Sequence, residues 1–169
     1  MALAEYKLLD ASFKYVVLGT HQRQFQELSF YWEVLQDLTD RLDLKDNVIW
    51  VDYYLSRAEL LKYVLAADVG LVTYTRADEN ATGITPLFLG CGRVVIATAF
   101  EGARALQRDV NDLLLAPIND PGGICKAIET IADNSSLRRR IMEANYSSTR
   151  NWLWDATAEH YRTLLEDVL

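Results

Sequence analysis

The apolar positions of the chain fall into two rhythms. Short solid runs rich in β-branched and aromatic residues read as strands: FKYVVLG (Phe13 to Gly19), NVIWV (Asn47 to Val51), VGLVTY (Val69 to Tyr74), VVIAT (Val94 to Thr98) and Leu113 to Ala116. Between them the apolar residues step by three and four. From Gln24 to Leu44 they fall at Phe25, Leu28, Trp32, Leu35, Leu38 and Leu42, the stripe of an amphipathic helix. Ser56, with Glu59 three residues on, makes a capping box for a helix to about Ala66. Thr82 to Gly90 reads as a short helical piece and Glu101 to Arg108 as another. Pro121 opens a helix to about Ala132, proline being tolerated in a first turn. Ser135 or Ser136 caps the next, and Trp154 to Leu169 forms the last.

Strands and helices alternate, and the strands are solidly apolar rather than alternating. Both features predict an α/β fold: a Rossmann-like parallel sheet of about five strands, with helices on both faces. Three helices in a row close the chain as an α-rich cap. No internal repeat, low-complexity segment or linker divides residues 1–169, so they read as a single domain.

The formal net charge of −7, from 24 acids and 17 bases, argues against nucleic acid as a main partner, since phosphate neutralisation needs a basic face. It leaves room for a local pocket for one nucleotide. Cys91 and Cys125 form no C-x-x-C and have no histidine pair, which speaks against a disulfide framework or a zinc site. Cys91 reads as a small buried hydrophobe. No apolar run has the roughly 20 residues of a membrane span, and MALAEYKLLD carries no leader pattern. The expected location is the cytoplasm or the cytoplasmic face of a membrane.

In such folds ligands bind beyond the carboxyl ends of the strands. That rule selects Gly19-Thr20-His21, Asp52-Tyr53-Tyr54, Tyr74 to Gly83 and Ala99 to Gly102. The stretch ENATGITPLFLGCGRVVIAT holds the most concentrated chemistry. Thr82 and Gly83 open a short helix whose free N–H groups suit a phosphate; the plain alternative is an N-cap followed by glycine. Glu79 suits sugar or ribose hydroxyls; the plain alternative is a solvated loop carboxylate. His21 reads as an incidental loop histidine and His160 as a surface one.

The segments AADVGLVTY, LGCGRVVIAT, Leu115-Ala116-Pro117-Ile118-Asn119-Asp120, the Ala127-Ile128 helix and the Leu137-Arg138 helix follow one another in an order that resembles a known family. It is that of the C-terminal, donor-binding domain of GT-B glycosyltransferases, most similar to the retaining family-four enzymes. The resemblance runs from about Tyr15 to Leu165. It implies that a nucleoside-diphosphate sugar is the donor substrate, with no cofactor or metal, and that a hexose passes to an acceptor held by a separate N-terminal domain.

Carried onto this chain, the family's first glutamate is Glu79, in the catalytic position beside the donor sugar. The second, which holds the ribose, falls on Leu87, which cannot accept a hydrogen bond. Ala81-Thr82-Gly83-Ile84-Thr85 looks closest to a subset with a Ser/Thr-Gly-Thr turn, which assigns Thr82, Gly83, Ile84 and Thr85 to the diphosphate. Tyr53, Tyr54 and Leu55 would edge the base. Glu101-Gly102-Ala103 would open a helix toward the same cleft and lend it N–H groups. The family domain also begins with a central strand and a loop carrying an arginine–lysine pair, which the resemblance places ahead of this chain. Gly19 and Arg23 are the nearest substitutes for the diphosphate.

Trp152 and Trp154 either pack on this domain's own helices or form an apolar patch for a missing domain. The leading expectation is therefore the donor-binding part of a glycosyltransferase, inactive alone, whose full-length protein can associate peripherally with a membrane. The rival is a non-catalytic GT-B-like binding or scaffold module that needs a partner, consistent with Leu87 and the missing basic pair. An epimerase-like enzyme of the same architecture needs an acid set that this sequence does not display.

Overall fold

The computed structural model describes residues 2–3, 12–20, 26–80, 82–110 and 112–166, leaving aside the side chains of residues 26–29. The element order is β1 (Tyr15–Leu18), α1 (Gln26–Arg41), β2 (Val48–Val51), α2 (Arg57–Ala66), β3 (Val69–Val72), α3 (Ile84–Gly90), β4 (Val94–Thr98), α4 (Glu101–Asp109), β5 (Leu114–Ala116), α5 (Pro121–Ala132), α6 (Ser135–Ser148), a 3₁₀ turn (Thr149–Trp152) and α7 (Trp154–Glu166). This is the α/β alternation expected from the apolar runs, and every strand pair is parallel.

The five strands do not form one sheet. β1 pairs with β2, and β3, β4 and β5 form a second sheet with β4 in the middle. Among the described residues no hydrogen-bonded strand joins the two. The first pair is registered by Asn47, whose buried side-chain amide donates to the Phe13 carbonyl at 2.9 Å while its own carbonyl accepts from Tyr15 N–H at 2.7 Å.

β4 is the structural centre. All five of its residues are buried, because it has a strand on each side and helices on each face. Alternate side chains point to opposite faces. Val95 and Ala97 meet Val72, Leu89, Phe100 and Ala103 on the side of α3 and α4. Val94 meets Ile131 and Ile141 on the side of α5 and α6.

The helix ends show why these segments start where they do. At α2 the Ser56 hydroxyl accepts from Glu59 N–H at 3.3 Å, and the Glu59 carboxylate accepts from Ser56 N–H at 2.9 Å, the capping box read from the sequence. α6 is capped by Asn134, whose side-chain oxygen accepts from Leu137 N–H at 2.8 Å, and not by either serine. The amide is one residue earlier and has an acceptor of the same reach. The C-terminal end of α3 is held by Arg150, which donates to the Gly90 carbonyl at 2.7 Å and stacks on the Tyr146 ring at 3.9 Å.

The helical cap does not bury its last aromatics. Trp154 is 86 % exposed, and with Tyr161 and Leu165 it lines a groove of about 480 Å³ along α7. Of the two readings for Trp152 and Trp154, internal packing fails for Trp154. Trp154 opens α7, which has no buried residue, whereas Trp152, in the 3₁₀ turn, is 37 % exposed. No helix among the described residues is long and apolar enough to cross a membrane.

Candidate functional site

The strongest of the expected sites lies beyond the carboxyl ends of β3 and β4. The chain leaves β3 at Val72 and runs through a loop to Asn80 before the turn into α3. Four contacts fix this loop. The buried Thr98 hydroxyl, at the end of β4, donates to the Tyr74 carbonyl at 2.6 Å. The Tyr74 ring meets the buried Phe100 ring edge-on, with centroids 5.1 Å apart. The N–H groups of Glu101 and Gly102 donate to the carbonyls of Ala77 and Glu79, each at 2.9 Å.

These bonds correct one expectation. The resemblance has Glu101-Gly102-Ala103 lend N–H groups to a ligand, but those of Glu101 and Gly102 are taken by the loop. Their effect is to hold Glu79, half-buried, beside the turn that follows. Arg76 in the same loop pairs with Asp78 at 2.9 Å on the surface. The hydrogen bond and charge of Asp78, together with the charge of Glu79, push the Arg76 guanidinium above its usual range. Arg76 thus stands as a loop cation near Glu79, a basic group that is not among the expected site residues. Its signal was the position: the only arginine or lysine between the end of β3 and the start of α3.

The turn itself differs from a plain N-cap. Gly83, not Thr82, occupies the cap position, in a helical conformation and with no side-chain cap. The hydroxyls of Thr82 and Thr85 are buried and have no hydrogen-bond partner, although Thr85 is fully buried. Orphaned buried hydroxyls cost stability, so native proteins seldom keep them without use. A β-carbon on Gly83 would meet nothing within 4 Å, and its φ of −73° demands no glycine. Neither the backbone nor the packing explains that glycine. Ile84 and Thr85, as the first residues of α3, have N–H groups with no carbonyl inside the helix, and Pro86 has no N–H at all. Leu87 is half-buried.

The remaining expected residues belong to the other sheet. Gly19 follows β1 with φ +125°, a conformation that only glycine adopts without strain, and donates to the Val51 carbonyl at 3.1 Å. Tyr53 and Tyr54 follow β2 and are exposed, Tyr54 by 86 %, while Leu55 is half-buried. Interaction with the Tyr63 side chain raises the Tyr53 phenol above its ordinary range. His21 and Arg23 lie outside the described residues. His160 is exposed on α7. Cys91 is half-buried rather than buried, Cys125 is buried, and both are free thiols.

Comparison with known proteins defines the class. The family model of glycosyl transferases group 1 matches residues 2–134, and the chain belongs to that family. No curated protein matches the chain. Among solved structures it is similar to HepE of Anabaena in complex with UDP, with 18 % identity and a TM-score of 0.81 over 98 % of this chain and 43 % of that one. It is also similar to sucrose-phosphate synthase of Thermosynechococcus elongatus, with 22 % identity and a TM-score of 0.78 over 99 % of this chain and 41 % of that one. A C-terminal domain of the group 1 glycosyl transferase LpcC of Francisella tularensis matches with 16 % identity and a TM-score of 0.73, over 88 % of this chain and 73 % of that domain. The chain therefore has the fold of a GT-B C-terminal domain and spans less than half the length of the first two proteins.

Proposed function

We propose that the chain is the donor-binding part of a glycosyltransferase that takes a hexose from a nucleoside-diphosphate sugar. The observation that carries this reading is the pairing of two things at the carboxyl ends of β3 and β4. One is a carboxylate, Glu79, held by its own backbone. The other is a turn with two orphaned hydroxyls and an unexplained glycine, Thr82 to Thr85. In this reading Gly83 leaves room for a diphosphate to approach the backbone, the N–H groups of Ile84 and Thr85 and the threonine hydroxyls bind it, and Glu79 accepts from hydroxyls of the sugar. UDP bound to HepE supports a uridine nucleotide as the first to try.

Gly19 is assigned to the opposite wall of the diphosphate site, with Arg23 beyond it. Tyr53, Tyr54 and Leu55 are assigned to the base, Tyr54 by stacking. Leu87 offers no hydrogen bond, so ribose recognition falls to other groups. The acceptor site and the strand that would sit between the two sheets are assigned to polypeptide outside these 169 residues. The apolar stripe of α7 fits as the surface on which such a domain rests. The proposed setting is the cytoplasm or its membrane face.

Leu87 favours one other reading, a non-catalytic module of the same fold. Transfer activity of the longer protein separates the two. Glu79→Ala should lower turnover at least about a hundredfold if the carboxylate acts on the donor, the scale of a lost group that stabilises developing charge. Unchanged turnover would remove Glu79 from the mechanism.

A further inference from the structure

The N-terminus of α4 grips the loop that carries Glu79. A helix leaves its first N–H groups without internal partners. Here the first two, of Glu101 and Gly102, donate to Ala77 and Glu79. The second bond is made by the residue that would act. Its carbonyl is the acceptor, so the peptide from which the Glu79 side chain departs is fixed against α4.

The fit at Gly102 is closed. Gly102 is buried, and a β-carbon there would lie 2.5 Å from the Asn80 carbonyl oxygen and 2.9 Å from the Asn80 carbonyl carbon. Both are backbone atoms, so no side-chain rotation relieves the contact. Any larger residue must push the loop away at the position next to Glu79. The other end of the loop is tied by Thr98 and Phe100 through Tyr74. With that end held, the displacement falls on Ala77 to Asn80.

We propose that the first turn of α4 is a positioning element: the missing side chain of Gly102 and the N–H groups of Glu101 and Gly102 set where the Glu79 carboxylate stands, and so the affinity for the sugar portion of the donor. The proposal rests on the donor-binding reading above. It assigns Gly102 no contact with the ligand.

Two variants test it by different routes. Gly102→Ala displaces the loop by contact. Glu101→Pro removes the N–H that the Ala77 carbonyl accepts and puts the ring Cδ where that hydrogen lay, so the carbonyl must withdraw. Proline suits the first helical position, and Phe100 before it is extended at φ −75° and ψ 164°, as a residue preceding proline must be. Gly90→Ala, where a β-carbon meets nothing within 4 Å, is the control. Dissociation constants for UDP and UDP-glucose are measured by calorimetry, and amide hydrogen exchange is followed without ligand.

Both variants should weaken UDP-glucose by about tenfold, the loss of one charge-assisted hydrogen bond. UDP affinity should fall less than UDP-glucose affinity, because Glu79 is assigned to the sugar that UDP lacks. On a Glu79→Ala background neither should reduce UDP-glucose affinity further, since the effect passes through that side chain. A wild-type ratio of UDP-glucose to UDP affinity in both variants would overturn the proposal. If Gly102→Ala does not fold, Glu101→Pro decides alone. If the wild type binds neither probe, the donor-binding reading fails and exchange judges the grip: faster exchange at the Glu101 amide in Gly102→Ala and at the Gly102 amide in Glu101→Pro upholds it, and unchanged exchange overturns it.

Discussion

Phe88 packs against Gly70 so closely that a β-carbon on the glycine would lie 2.7 Å from the ring. Gly70 is the second residue of β3, and Phe88 is on the last turn of α3. The contact seats α3 on the sheet at a distance that only glycine permits, and α3 begins with the proposed diphosphate turn. Gly70→Ala should therefore destabilise the fold by about 1–3 kcal/mol, the usual cost of overpacking a core. Phe88→Leu should recover part of the loss when combined with it, because the two positions share one volume. Urea unfolding of the single and double variants measures both effects. Additive destabilisation would show that the contact does not set the spacing.

Thr85 gives a test in which stability and binding move in opposite directions. Its hydroxyl is fully buried and has no partner. Valine has nearly the same shape without the polar atom. Thr85→Val should raise the ligand-free stability by about 1 kcal/mol, since an unsatisfied buried hydroxyl is removed. If the hydroxyl faces a diphosphate, the same variant should bind UDP more weakly. A variant less stable than the wild type would mean that the hydroxyl is satisfied by water.

The α2 capping box carries a pH dependence with a definite sign. Its hydrogen bonds with the Ser56 side chain and backbone hold the Glu59 carboxyl below the usual glutamate range. A carboxyl depressed in the folded state stabilises above its unfolded pKa of about 4.3 and loses that contribution as pH falls through the lower folded value. Acid unfolding of Glu59→Gln should accordingly show a shallower loss of stability below about pH 4.3 than the wild type. Ser56→Ala should cost about 1 kcal/mol at neutral pH, the ordinary value of a helix cap. Parallel pH profiles for Glu59→Gln and the wild type would remove the carboxylate from the cap.

Much of this fold is legible in the sequence, for physical reasons that can be named. VVIAT is a solid run of apolar residues ending in threonine, and burial on both faces requires that pattern; β4 has the expected limits. Ser56 and Glu59 are legible because a capping box is purely local. The 3₁₀ turn Thr149–Trp152 is not, and neither is the bond from its Arg150 to the Gly90 carbonyl, 60 residues away in sequence. The division into two sheets is equally hidden. Apolar runs announce strands but not which strands pair. At the site, Glu79 and the Thr82-Gly83 turn are legible as residue types in a loop after a strand. The grip of α4 on that loop is not, because it is made by backbone atoms and by the absence of a side chain at Gly102.

The central claim is that the turn from Thr82 to Thr85 and the loop of Glu79 hold a nucleoside-diphosphate sugar. Thermal unfolding of the chain with UDP and with UDP-glucose tests it most directly. A ligand at about 100 times its dissociation constant adds roughly 2.7 kcal/mol of stability. For a domain of this size that is a rise in Tm of about 5–10 °C. The expected result is such a rise with both ligands, kept with UDP and reduced with UDP-glucose when Glu79 is replaced by alanine. No rise with either ligand, at concentrations up to the millimolar range and with the wild-type chain folded, would contradict it.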